Sequence, residues 1–286
     1  MPISAQPRPR IPKGDALFQT PAIAWPTVFL FVLAISIWFA GLLLSWHDIL
    51  PYALILPIQV VAVFMLFTVL HDGVHRSLMR GYPGLNDLLA NISGYFLTPL
   101  GSCAVFRVAH FAHHRHTNHP QDDPDMWSGR GKWLLPLRWM TADFAYIPVV
   151  VRSMSKISLR DKVEIIGSVV VLGTLYLLAW FSGWGVEATL YWLIPSRLAV
   201  LWLAFAVNYL PHHPHQILQS HNPYAATNVR AGGEPLMKWL FLYQNYHLIH
   251  HLFPSVPFYR YQAIWKKYGS EYQDKGAPVV PLLQLT

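Results

Sequence analysis

Cys103 is the single cysteine of the sequence, which excludes an internal disulfide and any zinc or iron–sulfur site built on several thiolates. Charge is nearly as scarce, at 12% of 286 residues, and only 14 of the charged side chains are acidic. The scarcity is local. Thr27 to Trp46, Pro51 to Leu70 and Ile165 to Val186 carry no charge at all, and each approaches the ~20 residues with which a helix crosses a bilayer. With 53% hydrophobic residues and a mean hydropathy of +0.31, the chain has more apolar side chains than a soluble globule can bury. The sequence predicts an all-α integral membrane protein with these three runs as spans. A fourth is expected from Ala188 to Leu210, interrupted by Pro195 and by Arg197, whose charge must face protein or water. Leu88 to Phe106 is uncharged but diluted by Asn91, Gly94, Thr98, Pro99, Gly101 and Ser102, and reads as buried in the bundle or re-entrant.

The 21 Lys and Arg set an orientation, because short loops rich in them stay in the cytoplasm. Arg8, Arg10 and Lys13 precede the first span, eleven fall between His71 and Lys162, and six follow Leu210, while the links from His47 to Leu50 and Ser182 to Glu187 have none. This alternation predicts four transmembrane helices in two hairpins, with both termini and a histidine-rich helical cap in the cytoplasm. Residues 1–26 form a cytoplasmic N-terminal segment, 27–286 one membrane domain, and Gly276 to Thr286 an extended end. The first apolar run is too long for a signal-peptide core and no A-x-A-like site follows it, so it is expected to be retained. The net charge of +7 belongs to cations flanking the spans; they form no continuous stripe and imply no nucleic-acid partner.

What the sequence has in abundance is histidine, 15 in all. The predicted topology places every one except His47 on the cytoplasmic side. HDGVH sets His71 and His75 at i and i+4; HFAHH sets His110, His113 and His114, and HLIHH sets His247, His250 and His251, at i, i+3 and i+4. Those positions share one face of an α-helix. One such box alone reads equally well as a polar helix face, but three in order on one side predict a shared metal centre of the imidazole-preferring metals. Eight rings exceed the needs of one ion, so two metals are expected. NYLPHHPH adds Asn208 and His212, four apart at the exit of the fourth span. His116, His213 and His215 stay open as ligands, and Pro211 and Pro214 prevent a regular helix around the last two. Asp72, Asp123 and Asp125 are assigned to the outer hydrogen bonds of the rings, because a metal-bound imidazole usually donates its other N–H to a carboxylate or carbonyl. Asp122 looks least engaged.

These boxes resemble the membrane fatty acid desaturase and hydroxylase superfamily, whose pattern is H-x(3,4)-H, H-x(2,3)-H-H and H-x(2,3)-H-H on a four-helix membrane scaffold, over about Thr27 to Tyr261. The resemblance implies that His71, His75, His110, His113, His114, His212, His247, His250, His251 and Asn208 hold two iron ions, and that the chain is an O2-dependent oxidoreductase acting on a lipophilic substrate. Within the superfamily, NYLPHHPHQ, YQNYHLIHHLFPSVPFYRYQ, HRHTNHPQDDPD and the short first box resemble bacterial and cyanobacterial carotenoid ring hydroxylases. A carotenoid ketolase and a fatty-acyl desaturase remain the alternatives, because loss of a second hydrogen gives an alkene instead of an alcohol. The sequence shows no cytochrome b5 motif within it, so electrons are expected from a separate ferredoxin or similar protein, with Arg107, Arg115, Arg130, Lys132 and Arg260 as a docking surface. Phe106, Phe111, Trp127, Tyr243, Tyr246, Phe253 and Phe258 flank the boxes, as channel walls or as an interfacial belt.

Two other classes compete. A divalent-metal transporter would place its ligands within the spans at mid-membrane, where this sequence has almost no histidine. A membrane zinc hydrolase would work without O2 or reductant.

Overall fold

The computed structural model describes residues 6–7, 9–282 and 284, without the side chains of Lys132 and Glu234. It is mostly helical, and four helices are long and apolar enough to cross a membrane: α1 (Trp25–Trp46), α2 (Tyr52–Val74), α7 (Leu159–Phe181) and α8 (Gly185–Tyr209). They differ in depth within the molecule. Of the apolar window of α2, 61% is buried in protein, against 11% for α7. Thus α2 is the central post, while α7 leaves its aliphatic surface to be covered by something other than this chain.

The uncharged run Leu88 to Phe106 is not one helix. α3 (Pro83–Leu97) and α4 (Cys103–His116) are joined by an elbow, and at 15 and 14 residues neither is long enough to span. Pro99 and Gly101 make the break. Gly101 lies so close to the Gly94 carbonyl that a Cβ would collide with it. Ser102 then caps α4, its hydroxyl accepting from Val105 N at 3.1 Å, and Cys103 N donates to Asn91 Oδ1 at 2.9 Å.

The third span begins earlier than the charge-free run implied, at Leu159 instead of Ile165, and ends at Phe181 instead of Val186. Ser158 accepts from Asp161 N at 3.1 Å and so starts the helix inside a charged turn. At the other end Gly183 has φ +87°, a left-handed turn that reverses the chain. The fourth span contains two stretches of wider π turn, Thr189–Leu193 and Ala204–Tyr209. The interrupting Arg197 faces protein, as expected: it forms a bidentate pair with Asp143, both contacts 2.8 Å, and donates to Met140 O at 3.2 Å. Asp143 also accepts from Thr98.

Beyond α8 come β1 (Val229–Ala231), α9 (Glu234–Leu240), α10 (His247–Leu252), α11 (Tyr261–Asp274) and β2 (Val279–Pro281). The expected extended end is in part a strand, since β2 pairs in parallel with β1; 283, 285 and 286 lie outside the described residues. The segment before α1 is strapped to α11: Lys267 pairs with Asp15 at 2.7 Å and Arg260 donates to Ala16 O at 3.0 Å.

Candidate metal centre

Each histidine box ends or forms a helix that the fold aims at one point. His71 closes the last turn of α2 and His75 caps it. His110, His113 and His114 occupy one face of α4, and His247, His250 and His251 one face of the six-residue α10. His212 arrives from the turn after α8. From these four places the rings meet as two tetrads, His71, His75, His110 and His250 in one and His113, His212, His247 and His251 in the other, with the ligating nitrogens of each tetrad within 4.8 Å of one another. His114 belongs to neither tetrad but adjoins the first, its Nε2 3.1 Å from His110 Nε2 and 2.6 Å from His250 Nε2.

The spacing suits metal ions. A shell with metal–nitrogen bonds of about 2.1 Å puts neighbouring donors about 3.0 Å apart and opposite ones about 4.2 Å apart. The Nε2 pairs His71–His250, His75–His110, His113–His251 and His247–His251 lie at 3.0, 2.9, 3.2 and 3.1 Å. So many inward-facing ring nitrogens cannot all donate to one another, whereas a shared cation satisfies every lone pair at once. Burial, reinforced by the other rings, holds His75, His110, His114, His212, His247, His250 and His251 well below the ordinary imidazole range, in the neutral form that binds metals. His113 goes the other way. Burial opposes its charge, but Asp123 and Asp125 outweigh it and raise the ring to about 9.

The outer nitrogens are held by partners of mixed kind. Asp123 accepts from His113 Nδ1 at 2.8 Å and also from Asn118 N and Asp125 N, while Asp125 lies 3.5 Å from the same ring. Asp72 stands with Oδ1 3.9 Å from His71 Nδ1, beyond hydrogen-bond distance, while its Oδ2 accepts from Thr27 on α1 at 2.8 Å; Oδ1 and His71 Nδ1 are both buried with no other partner. Three partners were missed. Gln244 faces His247 Nδ1 at 3.0 Å, Gln219 faces His251 Nδ1 at 3.0 Å, and Tyr261 faces His250 Nδ1 at 3.2 Å. Gln244 could have been found, since it precedes His247 by three residues.

Asn208 lies in the last π turn of α8, where its amide meets the Tyr146 hydroxyl, which also contacts Asp125. His116 packs beside His119 with ring centroids 6.3 Å apart, and Asp122 pairs with His119 at the surface. His215 stacks behind His212, with centroids 6.0 Å apart, and His213 lies against Tyr209. None of His116, His213 and His215 joins a tetrad. Of the expected docking cations, Arg107 pairs with Asp161 at 3.0 Å and Arg260 is committed to N-terminal carbonyls, both recruited to hold helices together. Arg115 and Arg130 are exposed; the side chain of Lys132 lies outside the described residues.

An apolar cavity of about 50 Å³ adjoins the first tetrad, between α2, the α3–α4 elbow and α8. Phe67 and Phe106 separate it from the rings, Phe106 stacking on His110 with centroids 4.8 Å apart. Asn208 and Tyr146 form its border toward Asp125 and the second tetrad.

Four apolar helices and two buried imidazole tetrads define a multi-pass membrane protein with a site able to hold two metal ions. Comparison with known proteins makes the class specific. The fatty acid desaturase family model matches residues 48–282, and the chain belongs to that family. It is an enzyme, an oxygen-dependent oxidoreductase. It is 29% identical over 236 residues to the beta-carotene ketolase of Paracoccus sp. (strain N81106 / MBIC 01143), covering 79% of this chain and 82% of that protein. To the beta-carotene ketolase of Paracoccus sp. (strain PC1) it is 25% identical over 206 residues, 68% of this chain and 71% of the relative.

Proposed function

We propose that this protein is a carotenoid ring oxygenase that uses two iron ions and O2 to oxidise a ring methylene, with a ketone as its product. The observation that carries the reading is the pair of imidazole tetrads beside an apolar cavity, in a chain similar along most of its length to two beta-carotene ketolases. That similarity moves the reading from the ring hydroxylase, which the text around the third box suggests, to the ketolase. The two differ by repetition. One hydroxylation takes up O2, two electrons and two protons and releases one water; a second at the same carbon gives a geminal diol that loses water to the ketone.

His71, His75, His110 and His250 would hold one ion and His113, His212, His247 and His251 the other, with His114 completing the first shell and Asn208 reaching the second. Iron held there supplies the reductive activation of O2 that attack on an unactivated C–H bond requires. The chain's own part is to fix the rings through Asp123, Gln219, Gln244 and Tyr261, and to keep water away from the substrate with Phe67 and Phe106. A cavity with room for about two waters is too small for a ring, so substrate must spread the contacts of α2 with the α3–α4 elbow. The basic-residue pattern supports two hairpins with the centre and both termini on the cytoplasmic side, and a ferredoxin-like donor docking near Arg115 and Arg130.

The test is expression in cells that make β-carotene, with pigments and acyl chains profiled together. Keto-carotenoids with unchanged lipids are expected. Hydroxylated rings alone would restore the hydroxylase reading, and new acyl double bonds with unaltered pigment would end the carotenoid assignment.

A further inference from the structure

Beside the second tetrad lies another cavity, of about 130 Å³, with His212 in its wall. Its mouth is marked by the exposed Gln216 and Ile217, and its walls include the buried Asn118, Thr227 and Asn228. Several polar groups of this wall are unsatisfied. Thr227 Oγ1, Asn118 Oδ1 and Asn228 Oδ1 are buried without a protein partner. The amide orientations are fixed, because Asn118 Nδ2 donates to Ile217 O and Ala226 O at 2.8 and 2.7 Å, and Asn228 Nδ2 to Leu210 O and His213 O at 3.3 and 3.1 Å. Both amides therefore leave their acceptor oxygen without a protein donor. Arg230 is committed to the carbonyls of Leu210 and Gln284. An occupant must donate hydrogen bonds to two carbonyl-type oxygens and exchange them with a hydroxyl; water does this and an anion does not.

His212 shows the same want. In its tetrad, His113, His247 and His251 each have a side-chain partner for Nδ1, whereas neither ring nitrogen of His212 has one. One nitrogen serves the tetrad, and the other needs a partner from outside the protein.

We propose that this cavity is a water site, holding about four molecules, that hydrogen-bonds His212 and passes protons and product water between the metal centre and the solution. The proposal rests on the oxygenase reading, in which each hydroxylation consumes two protons and releases one water while the cavity beside the first tetrad is apolar.

X-ray radiolytic labelling of the oxidised, iron-loaded protein in nanodiscs reports water beside buried residues and needs no substrate, so it stands even if the substrate assignment fails. Pro211 and His212 are expected to be labelled despite their burial. Ala225→Leu, which fills the cavity, should abolish that labelling at unchanged iron content, and on the substrate that the pigment profile identifies should divert O2 to peroxide. Thr227→Val, which removes one hydroxyl at constant shape, should weaken the labelling in the same direction, and it decides the matter if Ala225→Leu fails to fold or loses iron. Absence of label at His212 in the unaltered protein, or labelling and product per O2 unchanged in a variant that keeps its iron, overturns the proposal.

Discussion

Asp123 is tied to His113 by a 2.8 Å contact inside the protein, and its carboxylate is held in place by two backbone N–H groups. Asp123→Asn keeps the shape and removes the charge that fixes the proton on Nδ1, so metal affinity or turnover should fall by about 10–100-fold, as outer-ligand substitutions typically do. Metal analysis of purified protein, read with product formation, checks this. Asp72→Asn should lower bound iron less, because Asp72 Oδ1 stands 3.9 Å from His71 Nδ1 and its hydrogen bond is with Thr27; equal iron loss in both variants would show that Asp72 holds His71 in the metal-bound protein. Seven of the eight tetrad histidines were legible because imidazole boxes at i and i+4, twice with a third ring at i+3, have few other reasons to recur three times. Gln219 and Tyr261 were not. A neutral amide or phenol carries no metal signature, and Gln219 meets a ring 32 positions away that only the folded chain brings near.

At the scale of elements, hydropathy located all four spans but misplaced the ends of the third. A helix starts where its N-cap is, and Ser158 with Asp161 supplies that cap inside a charged stretch that a hydropathy reading discards. The π turns of α8 were also invisible, since they leave no mark on apolar periodicity, yet they decide that Asn208 borders the cavity. A close helix contact offers a test. A Cβ on Gly73, between the two histidines of the first box, would stand 2.5 Å from Ala90 Cβ. Gly73→Ala should push α3 from α2 at a cost of about 1–3 kcal/mol for overpacking. A lower melting temperature with partial loss of iron is expected, whereas Gly84→Ala, whose Cβ meets nothing, should melt as the parent does.

For the whole molecule, two links cross between distant parts of the chain. The first is Arg197 with Asp143, which anchors the mid-chain segment to the last span. Breaking it by Asp143→Asn leaves a buried guanidinium with half its partner and should cost about 3–5 kcal/mol, while an apolar pair at both positions should cost less. The second link is the metal centre. α2, α4, the turn after α8 and α10 share one apolar core, but a cluster of buried ring nitrogens repays its dehydration only when cations fill it. Metal bound to the folded state alone stabilises it by mass action. Chelation should therefore lower the melting temperature and speed hydrogen exchange first in α10, the shortest of these elements and the carrier of three rings. Ferrous iron should restore both, and magnesium, which prefers oxygen ligands, should not. A melting temperature unmoved by chelation would mean that the tetrads stand without ions, and the oxygenase would lose its physical basis.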